Sequence, residues 1–216
     1  NHLLGAYYEV EFPEFDCGAD VQWYISIETI DGDYTTSPFA APDAVYEAQA
    51  YSGIDLLMEE DFEADTGWTV TGDAVTGMWS RGTPQWGGVR CEPSSDADGS
   101  GQCFVTGNGS NDEDIDDGST TVTSPSMVAY ESSILSYNRW YNNGSTCAGA
   151  DPLNDIFVVE FSVDGGSTWS TLEIVGPTGD DVSGGWVEAS FELGSVAGFV
   201  DTSAFRLRFT ASDLND

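Results

Sequence analysis

The chain has 216 residues, of which five are basic and 38 acidic, giving a formal net charge of −33 at pH 7. All five basic residues are arginines, and lysine is absent. A surface of this sign repels phosphate backbones and anionic lipid, which sets aside nucleic acid and membrane surfaces as partners. A content of 40% hydrophobic and 12% aromatic residues is enough to bury a core, which sets aside intrinsic disorder. No apolar run reaches the roughly 18 residues that span a bilayer, so direct membrane insertion is not expected. Self-repulsion at this charge calls for an offset. Divalent cations on carboxylates and carbonyls would supply one, Ca²⁺ foremost, and a saline medium would supply another. The plain alternative is an acidic surface that only confers solubility.

In chain order, Val21, Trp23, Ile25 and Ile27 alternate with Gln22, Tyr24, Ser26 and Glu28, which predicts a strand with one buried and one wet face. Ser37-Pro38 and Ala40-Ala41-Pro42 then break the pattern, and a new run begins near Ile54. A short segment at 1–50 and a main domain at 54–216 are therefore expected. Within the main domain, strands are predicted where Phe157, Val159, Phe161 and Val163 alternate with polar neighbours. The same holds for Val187, Ala189, Phe191 and Leu193, and for Phe205, Leu207 and Phe209 around Arg206 and Arg208. Gly, Asp, Asn and Ser turns separate these runs, and helix is expected only as a short turn near Gly194–Gly198. The fold class is all-β, an antiparallel sandwich.

Cys17, Cys91, Cys103 and Cys147 contain no Cys-x-x-Cys pair, and His2 is the single histidine. A zinc site is not expected, whereas a disulfide-permissive, extracytoplasmic setting is. Sequence does not choose among the connectivities open to four cysteines; Cys91–Cys103, closing a short loop, is the preferred pair.

Two loops concentrate acids among small residues, Asp96–Gly101 (DADGSG) and Asn111–Gly118 (NDEDIDDG). Hard cations take six to eight oxygens, which such loops can supply, although neither has EF-hand spacing. One candidate set combines Asp98 with Asp114 and Asp116, and Asp155 is placed to join a site. Aromatic residues form two groups in which sugar stacking is conceivable chemistry: Trp79, Arg81 and Trp86, and Trp140 with Tyr141. Ser162, Asp164, Gly166 and Trp169 fit the Ser-x-Asp-x-Gly-x-Thr-Trp pattern of an Asp box, a structural hairpin in which the carboxylate accepts turn amides and the indole packs beneath. It occurs once, so a propeller is not expected. With one histidine and no lysine, neither a Ser-His-Asp triad nor a lysine nucleophile is expected, and the chain reads as non-catalytic.

Asp61-Phe62-Glu63, Gly67-Trp68, Asp96–Phe104, Asp114–Gly118, Thr123-Ser124-Pro125, Leu135–Tyr141, Ser162–Trp169 and Arg208–Asp213 follow one another in an order that resembles MAM-like and carbohydrate-binding-module-like (concanavalin-like) jelly rolls of large secreted bacterial proteins. The resemblance covers residues 58–213 and implies a structural Ca²⁺ joining Glu63 to an Asp near the last strand, Asp213. Residues 1–50 resemble the C-terminal half of a fibronectin-III-like domain. The resemblance further implies a segment of a longer, peptidase-associated polypeptide that lacks the closing strand of its jelly roll. The expected role is a Ca²⁺-stabilised, secreted module in a saline bacterial setting that binds a glycan or an extracellular protein. The alternative is a structural segment of a fibre or surface layer, self-assembling through open strand edges.

Overall fold

The computed structural model describes residues 11–51, 53, 55–85, 91–109, 114–143 and 154–213. The chain divides into two compact units, residues 1–56 and 57–216. Among the described residues the regular structure is strand, apart from a single 3-10 turn at Leu193–Ser195. That turn overlaps the Gly194–Gly198 expectation, beginning one residue and ending three residues before it.

The first unit carries four short strands. β1 (Asp20–Trp23) pairs antiparallel with β4 (Tyr46–Gln49), and β2 (Ile25–Glu28) pairs with β3 (Tyr34–Ser37). The single run predicted over residues 21–28 is interrupted at Tyr24, where the chain leaves one partner and takes up another. Phe12 packs edge-on against Trp23, and Trp23 lies against Tyr46. Two ribbons cannot enclose a core, so Ile25, Ile27 and Phe39 remain exposed.

In the second unit, the main sheet has the order β12 (Ser170–Val175), β11 (Phe157–Ser162), β14 (Thr202–Asp213), β8 (Gly118–Thr123) and β5 (Thr69–Gly72), with β9 (Met127–Ala129) pairing on β14. All its pairings are antiparallel. β10 (Ile134–Asn142) and β13 (Ser183–Glu192) form a second ladder, and β6 (Trp79–Gly82) pairs with β7 (Cys103–Thr106). Residues 53 and 55–68 carry no strand and bend at 62–64 and 67 on the way into β5, and Ile54, where a new run was expected to begin, lies outside the described residues.

Period-two alternation supplies the core. On β14, Phe205, Leu207 and Ala211 are buried, while Arg206 and Arg208 lie on the opposite face. On β11, Phe157, Val159 and Phe161 are buried. One apolar cluster joins Phe161, Phe199, Phe205 and Leu207 to Leu193, and a second joins Phe157, Val159, Val175, Val182 and Ala211. The β10–β13 ladder closes over this surface. Tyr137 meets Phe209 edge-on at 5.1 Å, and Tyr141 stacks on Phe157 at 5.9 Å.

Arg139, also inward-facing on β10, crosses from one sheet to the other. Its Nη2 reaches Glu173 on β12 at 2.7 Å and Asp181 at 2.9 Å, and its Nε donates to both Glu173 oxygens. The Tyr137 hydroxyl donates to the same carboxylate at 2.7 Å. Arg139 is 8% exposed and Glu173 18%. Burial disfavours the Arg139 charge, but its hydrogen bonds to Glu173 and Asp181 outweigh this and its pKa is raised. Burial, together with the charge of Glu173, pushes the Tyr137 phenol well above its usual range.

Breaking a buried pair strands the remaining charge, whereas replacing both members with apolar groups does not. Arg139→Met is expected to cost about 3–5 kcal/mol. Denaturant unfolding should show most of that loss recovered in the triple variant Arg139→Met/Glu173→Leu/Tyr137→Phe, which also removes the hydroxyl that Glu173 accepts.

Candidate functional site

Residues 96–102 lead directly into β7 and are laced to residues 61–63. Asp61 Oδ1 accepts the Glu63 amide at 3.0 Å, and Glu63 Oε1 accepts the Gln102 amide at 2.6 Å. Asp96 is buried, and its Oδ2 accepts the Ser100 hydroxyl at 3.0 Å and the Gly101 amide at 2.8 Å. Asp98 Oδ1 accepts the Ser100 amide at 2.8 Å, and the Ser100 hydroxyl lies 3.5 Å from the Asp61 carbonyl. Bonds from the Ser100 side chain and amide, with a contribution from Asp96, hold the Asp98 carboxyl down to about 2. Asp96 and Asp98 are thus neighbouring carboxyls in one tight loop, with Glu63 bound at its end.

The other acids singled out in the sequence lie elsewhere. The Asp114 carbonyl accepts the Thr76 hydroxyl at 2.8 Å, and Asp116 Oδ2 accepts it at 2.7 Å. Asp213 ends β14 opposite Gly118 of β8, whereas Glu63 holds the 96–102 loop. The Asp155 carbonyl accepts an Asn143 amide hydrogen at 3.0 Å. Burial first, then the Asp155 charge, pushes the Tyr141 phenol above its ordinary range. Part of the second acidic loop, 111–113, lies outside the described residues, as does Trp86. Among the described residues, no three His, Cys, Asp or Glu side chains converge in a group that could hold a metal ion. The donors at 61–63 and 96–98 are carboxylates and a carbonyl, the chemistry a hard cation takes, and in that respect they fit Ca²⁺.

The aromatic residues divide sharply. Trp79 is part of the core: its indole donates to the Thr120 carbonyl at 3.2 Å and its ring meets Phe157 edge-on. Tyr141 likewise spends its ring on Phe157. Trp140 lies opposite Trp186 across the β10–β13 ladder, and the two rings meet edge-on. Their indoles donate to the carbonyls of Cys91 and Ser95, so the 91–95 segment covers that face.

Arg81 is different. It lines an open concavity of about 150 Å³ with Ala64, Asp65, Thr66, Trp68 and Phe104. The β6–β7 register sets Arg81 directly opposite Phe104. Arg81 Nη1 donates to the Phe62 carbonyl and to Gln102 Oε1, each at 2.9 Å. Trp68 packs against Phe62, Phe104 and Phe209, and its indole donates to Glu60 at 3.2 Å. Asp65 Oδ1 accepts the Gly67 amide. In the sequence Trp68 stands out only within the Gly67-Trp68 motif, and Asp65 carries no signal. Only the pairing of β6 with β7 brings Arg81 and Phe104 beside them.

The Asp box is built as its pattern requires. Ser162 Oγ donates to Asp164 Oδ1 at 2.7 Å and accepts the Gly166 amide at 2.8 Å. Asp164 Oδ1 accepts the Thr168 amide at 2.8 Å, and Oδ2 accepts its hydroxyl at 2.6 Å. Gly166 has φ +97°, a conformation that L side chains rarely adopt, and Trp169 lies against it. Arg208 stacks over the Trp169 ring at 4.3 Å and pairs with its cross-strand partner Glu160 at 2.6 Å.

The cysteine expectation needs correction. Cys103 carries a free, buried thiol, so the Cys91–Cys103 bridge does not form. Cys103 starts β7 with its side chain turned into the unit, where burial, then the charges of Asp96 and Asp98, push the thiol up to about 12. In comparisons with known proteins, the chain matches no family model, no curated protein and no solved structure.

Two outcomes follow from these environments. The Cys103 thiol should resist iodoacetamide at pH 8 in the folded chain and react on unfolding in urea, as mass spectrometry would show. Bonds from Thr168 and Ser162 hold the Asp164 carboxyl at about 2, below its ordinary 3.8. Its folded pKa is depressed, so its stabilisation is full above the unfolded value and lost as pH falls through about 2. Thermal melts across this window should show an acid-induced loss that is smaller in Asp164→Asn.

Proposed function

We propose that the chain is a non-catalytic, Ca²⁺-stabilised jelly-roll module of a larger secreted protein, binding a glycan or an extracellular protein. The observation that carries this reading is the acidic loop. Asp96 and Asp98 are set side by side, Asp96 is buried, and Glu63 is tied to the same turn. In a lysine-free chain of net charge −33, no ammonium group is available to neutralise such a cluster, and a divalent cation would do so. Asp96 and Asp98, with the Asp61 carbonyl, are the groups that would hold it, and Glu63 steadies their loop through the Gln102 amide. Bound there, the cation would tie the lead into β5 to the start of β7. The mix of charged and aromatic groups around Arg81 supports a binding role, and a single histidine with no lysine gives little support to catalysis.

One observation favours the second reading, a structural segment of an extracellular fibre or layer: Ile25, Ile27, Ile30 and Phe39 of the first unit are exposed. Sedimentation equilibrium at rising concentration in Ca²⁺ separates the two, since self-association belongs to the structural reading.

The cation is tested by thermal melts in Ca²⁺ and in chelator. At about 100-fold excess over Kd, binding contributes about 2.7 kcal/mol, a rise of roughly 5–10 °C for a domain of this size. Glu63→Gln and Asp98→Asn should each reduce that rise. Identical midpoints in Ca²⁺ and chelator would remove the cation from the proposal.

A further inference from the structure

We propose that the concavity formed by Asp65, Thr66, Trp68, Arg81 and Phe104 takes one pyranose ring of an uncharged glycan. This inference rests on the reading of the chain as a binding module and gives that module a site and a ligand class.

The polar groups come first. A guanidinium carries five N–H donors. Both Nη1 hydrogens of Arg81 are committed, to the Phe62 carbonyl and to Gln102, which fixes the plane of the group. The Nε and Nη2 donors remain for solvent or a ligand. Asp65, on the same concavity, is a pure acceptor, with one oxygen engaged by the Gly67 amide. Asp65 and Arg81 line one small space, yet no ion pair joins them among the described residues. A donor and an acceptor held apart in this way complement neighbouring hydroxyls, one accepting from Arg81 and one donating to Asp65.

The apolar wall supplies the rest. The Trp68 indole N–H is already bonded to Glu60, so the ring contributes carbon surface to the concavity, with Phe104 beside it. Trp68 is held by Phe62 and Phe209, which pre-orients it. A pyranose has a C–H face and a hydroxyl rim and matches both surfaces.

Size and charge narrow the ligand. About 150 Å³ is well under the roughly 300–1,000 Å³ of drug-sized pockets, so one ring is accommodated rather than a run of them. Arg81 would favour an anionic sugar and Asp65 a cationic one, so their opposite charges cancel locally. The net charge of −33 then disfavours uronates and sialic acid at long range. An uncharged ring is what remains.

The test is ¹⁵N-edited NMR of the full chain with methyl glycosides of glucose, galactose, mannose and N-acetylglucosamine at roughly 50 mM, suited to the millimolar range. The expected result is that at least one glycoside shifts the Trp68 indole and the Asp65 and Arg81 amides. Asp65→Asn and Arg81→Gln should each raise its Kd at least about 5-fold, corresponding to loss of one hydrogen bond. Arg81→Gln also releases the Phe62 carbonyl, so Asp65→Asn, which keeps an acceptor for the Gly67 amide, is the decisive variant. Shifts confined to other residues, or a Kd unchanged by Asp65→Asn, would overturn the site. A glycan array run in parallel separates the two levels: array binding insensitive to Asp65→Asn refutes this site but not a binding module. Silence in both refutes the site and the glycan-binding role together.

Discussion

The bridge from Arg139 to Glu173 is the constraint on which the arrangement of the second unit depends. Two sheets of alternating residues can slide over one another with little change in buried apolar area, since the hydrophobic effect has no direction. A guanidinium fixed at 2.7 Å and 2.9 Å to two carboxylates has direction. It couples β10 to β12 across the sandwich, and Tyr137 adds a third bond to the same Glu173. With that register set, Tyr137 falls on Phe209 and Tyr141 on Phe157, and the two apolar clusters close. In a chain with only five cations, placing one in the interior is a large share of the supply. It places a cation where carboxylates are desolvated and where solvent screening would be weakest.

The remaining arginines follow the same economy. Arg208 serves both Glu160 and the Trp169 ring, tying the Asp box hairpin to the central strand. Arg81 is anchored through Gln102, whose amide is in turn held by Glu63. Gln102 therefore stands between the acidic loop and the concavity. Under the proposed reading, these two hydrogen bonds would link a cation at the 96–101 loop to a ligand at the concavity.

Much of the fold was legible because its signal is local. The alternation at Phe157–Phe161 and Phe205–Phe209 needs only the strand period to separate inward from outward residues. The Asp box was equally legible, since the bonds joining Ser162, Asp164, Gly166 and Thr168 lie within eight consecutive residues. The candidate site was not. Trp79 and Arg81 are two residues apart, yet one ring is packed against Phe157 and the other group lines the concavity. Both stand on one face of β6, and what lies against each end of that face, Phe157 at Trp79 and Phe104 at Arg81, is set by tertiary packing. Cys103 misled in the same way. Its proximity to Cys91 suggested a short loop, whereas the start of β7 turns its thiol into the interior.

By itself, then, the sequence determined the class of structure, the faces of its longer strands, the acidic character of the surface and the geometry of one hairpin. These depend on composition and on spacings of two to eight residues. Tertiary structure decided what lies against what. It joined Glu63 to the 96–102 loop and carried Arg139 across the sandwich to Glu173. It also assembled Asp65, Trp68, Arg81 and Phe104 from the approach to β5 and from the β6–β7 ladder. Partners in β-structure are chosen by register between distant segments, and a period of two residues identifies a strand's faces without naming its neighbour.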